Sequence, residues 1–537
     1  MPEQFEKTNN KEQELSKINP RKVNIPKPIE LTPEQDENLL DLAIKAKDEE
    51  EIEQIRKELK MSFLKLDDDQ QKNIESEVMR EQPRADLLDI YESRENRDVS
   101  KLSKILIQAK SELLIIENKI GKEKVQDNLN WILDNNNRID LYQITAVLNK
   151  KLYGRTEDEM DESKAKQLLA YRKIQAVLLT ASEIGTEESV EFLSNFIEEN
   201  LSIPYLYNTA IDALAKNPAE NAKIELLKFV DNDGYSHELR TKAVLSGLRA
   251  GLEFDSQEIF NLIEEYIESL GDNLCQDTGT YNIIEITGLL KDTDGSAELL
   301  DKLYEKMRLS PEDKRQWFER DIISTRLTIK SDDKEKYLKD NLQDRHYVNK
   351  NGIVFGSINP ELDFNEFLLN HSEKFDKIAE MLAKINDAFG SEPIMYVDIS
   401  PGDANEAGWT QNSIYFSADY ILHSDDIDDL LQSTGHEACE RWHSKGFVDV
   451  DLAKFYIQLM GNNYPDSELD KFRLKHREKA ETNSGHPWDG EREFLAELGS
   501  TLLVNPSYID KLFDPKNDKI SLEALSYLKK KLFDFKI

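Results

Sequence analysis

Between about 165 and 310 the sequence repeats itself at a fixed interval. "RKIQAVLLTASEIG" from Arg172, "LYNTAIDALAKNP" from Leu206 and "LRTKAVLSGLRAG" from Leu239 each carry an alanine four residues in. These alanines, Ala176, Ala210 and Ala243, stand 34 and 33 residues apart. A second amphipathic stretch follows each of them: "SVEFLSNFIEEN", "NAKIELLKFVDN" and "SQEIFNLIEEYI". A period of that length is one helix pair, which is too small to bury its apolar face alone. The copies must therefore stack and share a continuous core. A more divergent fourth copy runs through "YNIIEITGLLKD" and "SAELLDKLYEKM".

The pattern resembles a HEAT-type helical solenoid, placed at 161–345. Such an array implies a concave surface for a protein partner. A plain helical spacer fits the same pattern, and repeat architecture alone names no ligand. Upstream, residues 1–34 carry Pro20, Pro26, Pro28 and Pro33 among Lys, Glu and Asn, the composition of a flexible leader. Residues 35–160 form an N-terminal helical region. A charged helix is expected from Thr32-Pro33-Glu34 to about Met61, followed by helices near 63–80, 99–119, 122–135 and 139–152. The acidic run Asp48 to Glu51 fits the solvated face of the first of these better than a metal site.

With 537 residues, several domains are expected, since a single core rarely grows past roughly 250–300 residues. There are 70 Lys and Arg against 106 Asp and Glu, a net charge of −36. That field repels nucleic-acid phosphates and anionic lipid, so neither nucleic acid nor a membrane is expected as a partner. The two cysteines, Cys275 and Cys439, are far apart, so no disulfide framework is expected. The first residues lack the apolar core of a signal peptide, and no stretch approaches about 18 consecutive apolar residues. The expectation is a soluble, cytoplasmic protein.

The texture changes near 345. "VNKNGIVFGSINPELD" fits a linker or short strand, "FNEFLLNHSEKFDKIAEMLAKINDAFG" a helix, and "PIMYVDISP" and "SIYFSADYI" two strands. The expected fold class is therefore mainly α: N-terminal helices and a solenoid, then an α+β domain with a small sheet at 352–537. Within it, "HSDDIDDLLQSTGHEACERWH" keeps apolar residues at helical spacing, so one helix from about Ser424 to His443 is expected. His436 and Glu440 then lie one turn apart on one face, about 6 Å, a separation from which two side chains can converge on one ion. Glu437, on the flank, is where a general base must sit to take a proton from an attacking water. "GEREFLAELGSTLL" offers a third ligand: Glu493 and Glu497 share a helical face with Ala496 and Ser500. Carboxylates facing inward among Phe494, Leu495 and Leu498 are costly without a cation or donors.

The strand "SIYFSADYI", the helix with "GHEACE" and the later "EFLAE" together resemble a gluzincin, closest to the catalytic domain of the anthrax lethal-factor type. The resemblance implies a zincin-like fold and peptide-bond hydrolysis. It further implies metal ligands at His436, position 440 and Glu493, a general base at Glu437, and Glu497 supporting a histidine ligand. That family places a tyrosine seven residues before the third ligand to stabilise the oxyanion. His486 stands there in this chain and can donate the same hydrogen bond. The departure is Glu440, where H-E-x-x-H has its second histidine. Zinc is the expected ion, yet a second carboxylate lowers the ion's electrophilicity and tilts the preference toward manganese, iron or magnesium.

The same residues fit three plainer arrangements. Thr434 and Glu437 have the spacing of a T-x-x-E capping box, which would make His436 an ordinary surface residue. Cys439 fits a small core residue better than a nucleophile. Glu440 to His443 is E-x-x-H, but the second copy that a di-iron bundle needs is missing. Two functions remain: a metal-dependent peptide hydrolase whose solenoid recruits its substrate, and a catalytically inactive pseudo-peptidase kept as a protein-interaction module.

Overall fold

A computed structural model describes residues 86–135, 160–329, 347–358, 364–389, 393–400, 407–424 and 427–444, apart from single positions within them. It also describes a few positions elsewhere, among them Val450, Ala453, Lys454, Ala496 and 499–503. All belong to one compact unit, Ser76–Ile537. The expected leader, the charged helix after Thr32 with its Asp48 to Glu51 run, and the helix near 63–80 lie outside the described residues. The fold is mainly helical, with a small mixed sheet toward the C-terminus. Among the described residues no helix is long and apolar enough to cross a membrane.

Helices α1 (Val99–Ile120) and α2 (Lys122–Asn135) precede the repeats and pack on α3 (Glu162–Ile184). Lys173 of α3 is almost wholly buried here, and Asp86 and Glu112 each hold its ammonium at 3.1 Å. The repeat copies are then α3 with α4 (Glu187–Glu199), α5 (Pro204–Lys216) with α6 (Glu220–Asp231), α7 (His237–Arg249) with α8 (Ser256–Leu270), and α9 (Gly279–Leu289) with α10 (Thr293–Met307). Polar caps start most of them. Asp161 accepts from Lys164 N at 2.9 Å, Thr186 and Ser189 form a reciprocal box, and Ser236, Asp255 and Asp292 cap α7, α8 and α10.

The first helices of successive copies pack side by side, and α11 (Glu312–Thr328) continues that layer. Ala176, Ala210 and Ala243 are buried within it, where a small side chain lets the backbones approach. Gly185 ends α3 at φ 68°, and a Cβ there would lie 2.6 Å from Pro218 of the next copy, so both the turn and the stacking demand glycine. Ion pairs cross the seams: Lys242 to Asp212 at 2.7 Å and Arg249 to Glu285 at 2.6 Å. Glu285 stands four residues into "YNIIEITGLL", where the earlier copies have their alanine, so the fourth copy has a partly buried ion pair at that place.

The sheet has the order β1-β2-β3-β5-β4. β1 (Tyr347–Lys350) and β2 (Ile353–Gly356) form a hairpin about Asn351 (φ 54°) and Gly352 (φ 85°), the left-handed pair that a tight hairpin turn requires. The stretch expected to be a linker or short strand is thus two strands. β2, β3 (Tyr396–Ser400) and β5 (Ile414–Ser417) run parallel, and β4 (Ala407–Trp409) closes one edge antiparallel to β5. "SIYFSADYI" is strand only to Ser417. The Ser417 hydroxyl accepts from Tyr420 N at 3.1 Å and starts the short helix α13 (Ala418–His423).

Period two divides the sheet faces. Ile353, Phe355, Val397, Ile399, Ile414 and Phe416 point into one core, shared with Phe375, Ile378 and Leu382 of α12 (Phe364–Phe389) and Leu430 and Ala438 of α14 (Ile427–Ser444). α12 is kinked at His371 (φ −126°, ψ 20°). Val354 and Tyr396 point the other way, onto Ile323 and Leu327 of α11. α11 therefore faces the sheet as well as the repeats, and three layers result: α11, sheet, and α12 with α14.

Candidate metal centre

α14 carries "GHEACE". Thr434 lies in its interior, donating from Oγ1 to Leu430 O at 2.7 Å, so Thr434 and Glu437 do not cap a helix start. Thr434 and Ala438 face the core, and this fixes the neighbouring face on which His436 and Glu440 sit. Both are buried, at 2% and 6% exposure, while Glu437 is half-buried. His436 Nε2 and Glu440 Oε2 are 3.8 Å apart. That is longer than a hydrogen bond, and close to the roughly 3.3 Å between two donors sharing a tetrahedral zinc at ordinary bond lengths. One donor atom from each of His436, Glu437 and Glu440 lies within 4.8 Å of the others. The donor set therefore fits a divalent ion after a small rotamer adjustment.

Burial pushes the Cys439 thiol up to about 12, so it is neutral at physiological pH and belongs to the core. Trp409 and Tyr415 are strand-face residues. Tyr415 lies beneath the Arg320 guanidinium at 4.6 Å from its ring centre.

His486, Glu493 and Glu497 lie outside the described residues. Nearby helical positions, Ala496 and 499–503, are described, and Ser500 and Thr501 meet α14 beside the histidine. Ser500 donates to Gln432 O, and Gln432 Nε2 donates to Thr501 Oγ1 at 3.2 Å. A Cβ on Gly435 would lie 2.8 Å from Ser500 Oγ and 3.3 Å from its Cα, so this glycine, next to His436, is what admits the second segment. Ala496 and Ser500 are both fully buried.

Two residues around the centre were not expected from the sequence. Arg441, 1% exposed, follows Glu440 and donates from Nη2 to Asn412 Oδ1 at 3.2 Å in the turn between β4 and β5. Asn412 in turn binds α11, donating from its backbone N to Asp321 at 2.6 Å and from Nδ2 to Thr325 Oγ1 at 2.8 Å. A signal for Arg441 exists in the sequence: it extends the Thr434 and Ala438 stripe by i+7, an arginine in a core register.

The chain matches no known protein family, no curated protein and no solved structure.

Proposed function

We propose that residues 352–537 form a metal-dependent peptide hydrolase of gluzincin type, with the helical repeats recruiting the protein substrate. The observation that carries this is a buried histidine and glutamate one turn apart, with a second segment docked against the adjacent glycine. His436 and Glu440 hold the ion. By the gluzincin resemblance Glu493 would supply the third ligand and Glu497 would support His436. When bound, zinc, or manganese or iron in its place, polarises the scissile carbonyl and the attacking water. Glu437, half-buried on the flank, takes that water's proton, and His486 donates to the developing oxyanion.

Glu440 itself favours a second reading, an inactive pseudo-peptidase that binds protein. Two carboxylates at the ion weaken its pull on water, and hydrolysis suffers before binding does. Metal analysis and a peptide-library cleavage assay separate the two. The hydrolase predicts one ion per chain, lost in Glu493→Ala, and cleavage abolished in Glu437→Ala. An ion with no cleavage leaves the binding module, and equal cleavage by parent and Glu437→Ala excludes Glu437 as the base.

A further inference from the structure

The helix bearing His436 and Glu440 is held in depth by apolar contacts, but such contacts are non-directional and leave rotation about its own axis soft. Rotation matters most for ligand geometry. With Cα atoms about 2.3 Å from the axis, a turn of about 10° moves them by only ~0.4 Å but moves a donor atom at the end of a side chain by ~1 Å. Metal sites tolerate roughly half that displacement. Directional contacts near the ligands are needed: Gln432 makes them to Ser500 and Thr501, and Arg441 makes the one next to Glu440.

Resting on the metal centre proposed above, we infer that Asn412 is a positioning residue for the site. Through it the last helix of the repeat layer, α11, sets the rotation of α14. The chain of bonds is continuous and buried: Asp321 and Thr325 on α11, Asn412 in the β4–β5 turn, Arg441 on α14. The turn is doubly fixed, because Thr410 Oγ1 donates to the same Asp321 carboxylate and Thr410 N donates to Ser413 O at 2.8 Å. Asn412 suits this place because its carboxamide accepts from the guanidinium on one side and donates to Thr325 on the other. A partner that shifts α11 from the repeat side would thereby move the ligand pair, giving the solenoid a means of regulating the site.

The test uses the full chain and Co(II) as probe, whose visible bands report ligand geometry. Thr325→Val keeps the side-chain shape and removes only the side-chain bond of Asn412 to α11, leaving its backbone bond to Asp321, whereas Asn412→Ala also removes the acceptor for Arg441. Asn412→Ala should weaken Co(II) binding about 10- to 100-fold, as loss of an outer partner of a ligand does. Thr325→Val should weaken it less and shift the bands, with its circular dichroism unchanged. Parent-like affinity and bands in both variants overturn the inference. A parent that takes up no Co(II) removes the proposed function, and amide exchange then decides the link by itself. Faster exchange over Ile427–Ser444 in Thr325→Val, with α12 unchanged, supports it, and unchanged exchange in both helices overturns it.

Discussion

The repeat layer and the sheet layer use polar groups in opposite ways. In the repeats, the ion pairs between successive copies keep one partner partly in water: the side chains of Lys242 and Asp212 are 12% and 26% exposed. Around the sheet, Arg320 and Asp398 are 6% and 0% exposed, and Asp398 also accepts from Tyr396 Oη at 3.1 Å and Ile358 N at 2.9 Å. Burial and that carboxylate push the Tyr396 phenol well above its ordinary pKa, so it remains a donor. A solenoid is stabilised by many equivalent neighbour interfaces, so each can be modest. The sheet is small and depends on a few fully desolvated contacts to α11, where losing one partner strands the others. Such contacts would suit the proposed metal centre, whose ligands need fixed geometry.

The contrast predicts unequal costs. Asp398→Ala leaves Arg320 buried without its carboxylate and should cost about 3–5 kcal/mol in denaturant unfolding. A cost under about 1 kcal/mol, the range of an exposed pair, would erase the distinction. Gly435→Ala forces a Cβ against Ser500, whose backbone cannot yield as the Met381 methyl can, and should cost about 1–3 kcal/mol. Its amide-exchange signature should be confined to α14 and the segment at 499–503.

Asp212→Asn should cost about 1 kcal/mol, because the pair it breaks is partly solvated. Burial alone would raise the Asp212 pKa, but Lys242, Ser246 and Arg249 outweigh it and hold the carboxyl below its ordinary value. Its contribution is therefore complete above the unfolded-state pKa of about 3.9 and is lost as pH falls through the lower folded value. Unfolding measured against pH should show Asp212→Asn flattening the curve in that acidic window and leaving the neutral slope unchanged. A changed slope at neutral pH would contradict this.

The repeats were legible because an alanine every 33 or 34 residues, each followed by a second amphipathic stretch, is a local signal. The sheet was less so. Asn351-Gly352 is a hairpin signal, but the flanking strands of four residues are too short to display a period. β4 has only three residues. The role of α11 was hidden because Arg320, Asp321, Ser324 and Thr325 are buried beside Ile323 and Leu327 on this helix, and so many polar residues break up an apolar stripe. At the site, His436 and Glu440 follow from helical spacing alone. The Arg441 to Asn412 contact joins positions 29 residues apart, and no local pattern encodes it.

The proposed role of the buried pair on α14 is to hold an ion. Calorimetric titration of the purified chain with Zn(II) tests it most directly, beside His436→Ala and Glu440→Ala. One site per chain is expected in the parent, weakened at least tenfold by either substitution. A parent that binds no zinc, or binds it equally well without His436 and Glu440, would contradict it.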